Sequence, residues 1–387
     1  MTAPTDTPPH GSGRDPEHDA AHGPAQGPTR NPARDAIPPA PTPPDPAAPD
    51  PAAPDTKALA AGARGNRLAA FAGAREGVLA ITLVVVLVGI TLGSHGDFWS
   101  HVNINNLLVR IAITAIPAIG MTLVILTGGI DVSIGSMLGL VAAVGGLLFQ
   151  AGWSVWAVAP VFVLLGAGFG LVNAAIILGG RVPPVVATLG TLSIFRMAVF
   201  LVLGSNWITM IPPELTTLFI TSRLWVLPVA TVVALVLMIL FALFLRGFRT
   251  GRHIYAIGNN AEAARLAGIK VRRLELYTYV LLGAFTGIAA LLTLGQSPLV
   301  QNSTGTGFEL GVIAAVVLGG TELSGGKGTI LGTALGTIIV ELIKDGVVLM
   351  HIQPFWGGVL LGGIILVSIG ANRRFPGKAA GTKGAGG

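Results

Sequence analysis

From residue 77 to residue 371 the sequence is a succession of long apolar runs separated by short polar breaks. Such runs dictate the fold class, because a bilayer core offers the backbone no water. Every lipid-facing N–H and C=O must be satisfied within its own helix or in a closed barrel. A spanning helix needs about 20 mainly apolar residues. Candidate spans lie at 77–93, 107–127, 134–151, 155–178, 183–204, 224–245, 275–294, 308–322, 329–350 and 355–371. None alternates polar and apolar residues as barrel strands do. The expected class is an all-α polytopic membrane protein with about ten transmembrane helices. Segment 308–322 is short enough for a half-helix or re-entrant segment. Segment 183–204 opens on Pro183-Pro184 and contains Arg196, as a broken or tilted span would. If these two do not cross, eight or nine spans remain.

Charge placement orients the chain. Only 11% of residues are charged, against about 25% in soluble domains. Residues 1–60 hold eight acidic and four basic side chains and 16 of the 26 prolines. Their scarcity of large apolar residues leaves nothing to offset ordering entropy, so a disordered tail is expected over 1–66. The tail lacks the basic start and apolar core of a signal peptide. A transmembrane domain follows over 67–374, and a short disordered tail over 375–387. Beyond residue 60, 16 of the 20 basic residues fall on one side when the N-terminus is cytoplasmic. The positive-inside rule then puts both termini in the cytoplasm and the chain in the plasma or inner membrane. The bases form no cluster with aromatic residues, so no nucleic-acid partner is expected. With no cysteine, disulfides and thiolate chemistry are excluded.

Polar groups inside spans are costly and need partners or water. Asp131 lies in LTGGIDVSIGS, where glycines and serines interrupt an apolar run. Two readings stand. One is a broken helix lining a solute path, with Thr127, Asp131 and Ser133 supplying hydrogen bonds. The other is a tight turn in which Asp131 caps the third span, and periodicity alone favours it. Asn173, within the fourth span, either touches a hydroxylated solute or ties two helices together. Arg196 needs a carboxylate or carbonyl partner. Glu341 and Lys344, three apart, suit a pair on one helix face, and Arg110 is placed to snorkel outward. With Thr188, the residues Thr127, Asp131, Ser133, Asn173 and Arg196 make up the candidate substrate pathway. No metal-ligand pattern is present.

The longest polar loop, RGFRTGRHIYAIGNNAEAARLAGIKVRR (246–273), carries a short helix signal. Asn259 and Glu262 have capping-box spacing, and Gly268 suits a left-handed C-terminal cap. A helix of two turns is marginal alone in water, so it needs the membrane surface or a partner protein to pack on. Downstream, LSGGK (323–327) is one residue from an ATPase signature. The chain has no Walker A loop, however: the spacing around Lys327 is off by one, and Gly328 stands where Ser or Thr is required. LSGGK therefore reads as a cytoplasmic turn between spans. LTGGIDVSIG and VLGGTELSGG share glycine, acidic and serine positions at equal offsets, from an internal repeat or from chance among 54 glycines.

Four blocks carry a resemblance: LTGGIDVSIGSMLGL, VPPVVATLGTLSIFR, GRHIYAIGNNAEAARLAGIKVRRLELYTYVLLGAFTGIAALL and GFELGVIAAVVLGGTELSGGKGTILGTALG. In order and content they resemble the permeases of sugar-type ABC importers, over roughly residues 75–372. Met197 stands where that family usually has Gly. The resemblance implies a pathway of two such subunits, a homodimer, with an extracytoplasmic sugar-binding protein delivering a monosaccharide or related solute. It implies two cytoplasmic ATPase domains that hold ATP and Mg themselves, so this chain would be no enzyme and carry no cofactor. Gly258, Asn259, Glu262, Ala263, Ala264 and Gly268 would couple ATPase closure to the spans. The rival from another class is an ion-coupled secondary transporter, for which Asp131 and Glu341 are available carboxylates. No HExxH or nucleophile-elbow motif supports an intramembrane enzyme.

Overall fold

The computed structural model describes residues 75–353 and scattered positions between 356 and 366. The tails assigned to 1–66 and 375–387 lie outside the described residues. Span 355–371 is described only at 356–359, 362, 363 and 366, all helical.

Apolar segments this long close their own hydrogen bonds as helices, and the described chain is almost wholly helical. In order it runs α1 (Arg75–Gly93), α2 (His101–Leu126), α3 (Ile134–Gln150), α4 (Val155–Ala174) and α5 (Pro184–Leu203). A short α6 (Pro213–Thr216) precedes a two-residue hairpin, β1 (Arg223–Leu224) with β2 (Leu227–Pro228). Then follow α7 (Val229–Gly247), α8 (Arg249–Asn259), α9 (Ala261–Leu266), α10 (Val271–Gln296), α11 (Phe308–Leu318) and α12 (Ile330–Leu349). Among the described residues α2, α4 with its continuation to Gly179, α5, α7 and α10 are long and apolar enough to cross a membrane. Helices α3 and α11 are apolar but shorter.

Several expectations shift for physical reasons. Segment 183–204 is one unbroken helix: Pro183 is its N-cap residue and Pro184 its first residue, where a missing N–H costs nothing. The segment expected from 224 begins as a helix only at Val229, because Leu224–Pro228 form the hairpin. Helix α2 starts at His101, six residues before its apolar run. The Ser100 side chain accepts the Asn103 N–H and so caps a polar first turn. Arg110 does not snorkel away; it pairs with buried Asp345 on α12, which also accepts from Asn103 Nδ2 at 2.9 Å. Glu341 and Lys344 pair at 2.7 Å, and Glu341 takes a second bond from Thr114 at 2.9 Å.

The centre of the bundle is α10, packed most extensively on α4 and α2. The contact with α4 is backbone to backbone. A Cβ on Gly166 would overlap the Gly283 carbonyl, one on Gly170 the Tyr279 carbonyl, and one on Gly287 the Phe162 carbonyl. Two Gly-xxx-Gly ridges, 166/170 and 283/287, thus interlock, as small residues do where helices approach closely in lipid. A second such crossing joins α11 to α12 through Gly319, Gly332 and Gly336.

Gly283→Leu is expected to lower the melting temperature and folded yield of the detergent-solubilised protein, since overpacking costs about 1–3 kcal/mol and here meets backbone. Gly168→Leu, on α4 but with nothing near its would-be Cβ, is expected to melt as wild type does.

Candidate functional site

Two glycine-rich turns meet beneath the bundle. Helix α2 ends in a left-handed Gly128 (φ 85°), with Gly129 N donating back to Val124 O at 3.0 Å. Helix α11 ends in the same way at Gly320 (φ 88°), with Thr321 N donating to Val316 O at 3.2 Å. Both are glycine C-caps that satisfy end carbonyls. The caps correspond one position away from the alignment of the two GG motifs in sequence, which places Asp131 opposite Leu323 rather than Glu322.

After Gly129 the first turn moves inward. Asp131, Ser133 and Asn173 are fully buried and form a triangle. Asp131 Oδ1 accepts the Ser133 N–H (2.8 Å) and the Ser133 hydroxyl (2.7 Å). Asn173 Nδ2 donates to Asp131 Oδ2 and to Ser133 Oγ, both at 2.8 Å. Asp131 is therefore not the N-cap of α3, which is Ser133. Its carboxylate closes an Asx turn and ties that turn to α4. Just past Asn173 the helix loosens into a π turn, Ala175–Gly179, a feature frequent at functional sites.

Of the six pathway candidates, these three come together. Thr127 donates to Val124 O of its own helix and lines an adjoining cavity of about 220 Å3, with Gly128, Ile177, Glu275 and Tyr279. Thr188 donates to the Pro184 carbonyl of its own helix at 2.9 Å. Arg196 stands apart, its Nη1 donating to the carbonyls of Asn302 (3.0 Å) and Thr304 (2.8 Å). Glu275 and Tyr279 had no sequence signal beyond being polar in an apolar run.

The second turn, Thr321–Gly328, is LSGGK in its setting. Lys327 pairs with Glu322 at 3.4 Å. Gly326 N donates to Leu126 O at 3.0 Å, so this turn is hydrogen-bonded to the end of α2. Gly258, at the end of α8, sits between them: a Cβ there would overlap Leu126 O and Gly326 N. Tyr255 adds a bond to Gly328 O at 2.9 Å. Helix α8 was not expected. Its buried Gly251, Ile254 and Ile257, three residues apart, were the signal available.

Helix α9 lies where the loop helix was expected, but its cap differs. Asn260, not Asn259, accepts the Ala263 N–H at 2.9 Å. Asn259 ends α8 and donates to Tyr255 O. Glu262 pairs forward with Arg265 instead of capping, and that guanidinium holds its carboxyl below the usual range. Both side chains are exposed, so the pair adds little stability. Gly268 is left-handed (φ 82°), and Ile269 N reaches back to Ala264 O. Ala264 is buried against the body, whereas Ala263 and Leu266 face outward, Leu266 79% exposed.

Asp131→Ala is expected to cost about 1–3 kcal/mol by stranding buried donors. A cycle with Asn173→Ala is expected to show a coupling of at least about 0.5 kcal/mol in thermal or denaturant unfolding.

The comparisons with known proteins cover this region entirely. A family described as branched-chain amino acid transport system / permease component matches residues 103–369. The ribose import permease protein RbsC of Bacillus subtilis (strain 168) is 35% identical over 302 residues, covering 76% of this chain and 91% of the relative. The RbsC protein of Escherichia coli (strain K12) is 32% identical over 296 residues, covering 74% and 90%. The autoinducer 2 import system permease protein LsrC of Yersinia enterocolitica is 34% identical over 295 residues, covering 76% and 81%. No solved structure matches the chain. With well over half its length matched, including both glycine turns and the α8–α9 loop, the chain belongs to this family of transport-system permease components.

Proposed function

We propose that the chain is the permease subunit of an ATP-driven ABC importer for a monosaccharide or related small hydroxylated solute. The observation that carries this reading is helix α9. It is capped at both ends, presents a bare leucine and small side chains outward, and connects through Gly258 to the end of α2 and the Asp131 turn. A six-residue helix is not stable alone, and this one offers a docking face rather than a buried one. Cytoplasmic ATPase domains, binding ATP and Mg themselves, would seat on it and move α8. Gly258, Asn259, Glu262, Ala263, Ala264 and Gly268 form or flank the coupling element. The sugar class follows the printed names of the ribose permeases.

In this reading ten spans cross the inner membrane, with both termini cytoplasmic by the distribution of basic residues. Two copies line one pathway, and an extracytoplasmic binding protein delivers the solute. Thr127, Asp131, Ser133, Asn173, Thr188 and Arg196 lie along or behind that pathway, which alternates between two packings. An ion-coupled mechanism requires an intramembrane carboxylate free to exchange its cation. Asp131 is engaged by Ser133 and Asn173, and Glu341 by Lys344 and Thr114, which weighs against it.

In proteoliposomes, uptake is expected only with ATP, the ATPase and the loaded binding protein together. Uptake by this chain alone under a proton or sodium gradient overturns the proposal. Leu266→Asp is expected to reduce solute-stimulated ATP hydrolysis and uptake by about tenfold or more, as loss of an interface anchor does, while the purified subunit keeps its melting temperature.

A further inference from the structure

Helix α11 is only half a span. Its 11 residues rise about 16 Å, whereas the 26 residues of α10 rise about 39 Å. Helix α10 starts at the α9 end of the bundle, and α11 finishes there, in the turn bonded to Leu126. The connecting segment 297–307 must therefore descend about 20 Å into the bundle before α11 begins. Its route is fixed by packing. Gly305 (φ 77°) lies on the backbone of Gly135, and Thr304 O lies where a Cβ on Gly139 would be. Arg196, about 18 Å from the start of α5, holds the same segment by its two carbonyl bonds.

Beside this break is a cavity of about 330 Å3. It is lined by the aromatic Phe200 and the exposed Trp207, by Gln301, Asn302, Ser303 and Thr306, and by Arg196. Asn302 Nδ2 donates to Gly204 O at 3.1 Å, which orients the amide and leaves its buried Oδ1 without a donor. An unsatisfied buried acceptor beside a cavity needs an explanation. Amides and hydroxyls lining one cavity with aromatic rings match a small polyol, whose hydroxyls donate and accept while its C–H face rests on a ring. Broken helices near the bilayer centre are where transporters commonly place solute.

We infer that the break between α10 and α11 is a solute site for a monosaccharide-sized polyol, read by Gln301, Asn302, Ser303 and Thr306 against a wall of Phe200 and Trp207. Arg196 lines the same cavity and, through Nη1, holds the segment by the Asn302 and Thr304 carbonyls. The inference rests on the importer reading and adds where the solute sits. Below the site the same segment runs down α3 toward Asp131, with Thr304 at Gly139 and Gly305 at Gly135.

The chain has no cysteine, so Ser205→Cys, exposed beside Gly204 and outside the cavity lining, provides one reporter per copy of this chain, assembled with its ATPase and binding protein. Saturating D-ribose, D-xylose or D-galactose, whichever the wild type imports, is expected to slow thiol labelling at this position by at least about threefold. Adding Trp207→Ala is expected to abolish protection and cut uptake about tenfold, equivalent to about 1.4 kcal/mol, and Trp207→Phe to restore both. If the wild type imports the sugar, yet labelling is unprotected and Trp207→Ala transports normally, the site is overturned and the function stands. If the wild type imports none of the three sugars with ATP, the sugar reading falls and the polyol site with it.

Discussion

The fold depends on backbones that touch. In a bilayer the tails are as apolar as leucine, so helices gain little by hiding side chains from lipid and associate through close packing and polar contacts instead. Here Gly166, Gly170, Gly283 and Gly287 bring α4 and α10 together until carbonyl oxygens occupy the space of missing Cβ atoms. The crossing of α11 with α12 is built likewise. With α10 seated, α2 has a fixed neighbour and α11 packs on α2 in turn, so the ends of α2 and α11 deliver the two glycine turns to one place.

At that place three elements share a few atoms. The Gly326 N–H bonds the last carbonyl of α2, Gly258 fills the angle between them, and Tyr255 secures the far side of the turn. The first two of these contacts are stiff because they are made by backbone. A displacement of α8 therefore reaches the Asp131 turn without passing through side chains that can change rotamer. The buried triangle then ties that turn to Asn173 on α4, beside a π turn whose looser winding can absorb movement.

Much of this was readable in the residues, and what was not has identifiable causes. Long apolar runs gave α2, α4, α5, α7 and α10 because periodicity and length suffice for spans. The polar starts of α2 and α10 were missed since hydropathy does not register a cap such as Ser100. Gly268 was legible as a helix stop, whereas the choice between Asn259 and Asn260 depended on where α8 ended. The Asp131 motif was visible with Ser133 inside it, but not its bond to Asn173, 42 residues on. Arg196 was rightly denied to lipid, yet its carbonyl partners lie in a segment that looks from sequence like an ordinary loop. Contacts made by backbone atoms leave no residue-type signature at the accepting end.

That last point has an evolutionary consequence. Arg196 grips carbonyl oxygens, which every residue possesses, so its two bonds to segment 301–306 do not depend on which side chains stand there. Substitutions at 301, 303 and 306 can change what the cavity presents while both bonds persist. Scaffold and selectivity are thereby written in different atoms of the same few residues. A gene copied from this one can acquire new cargo by drift in a short stretch, without first finding a new way to fold.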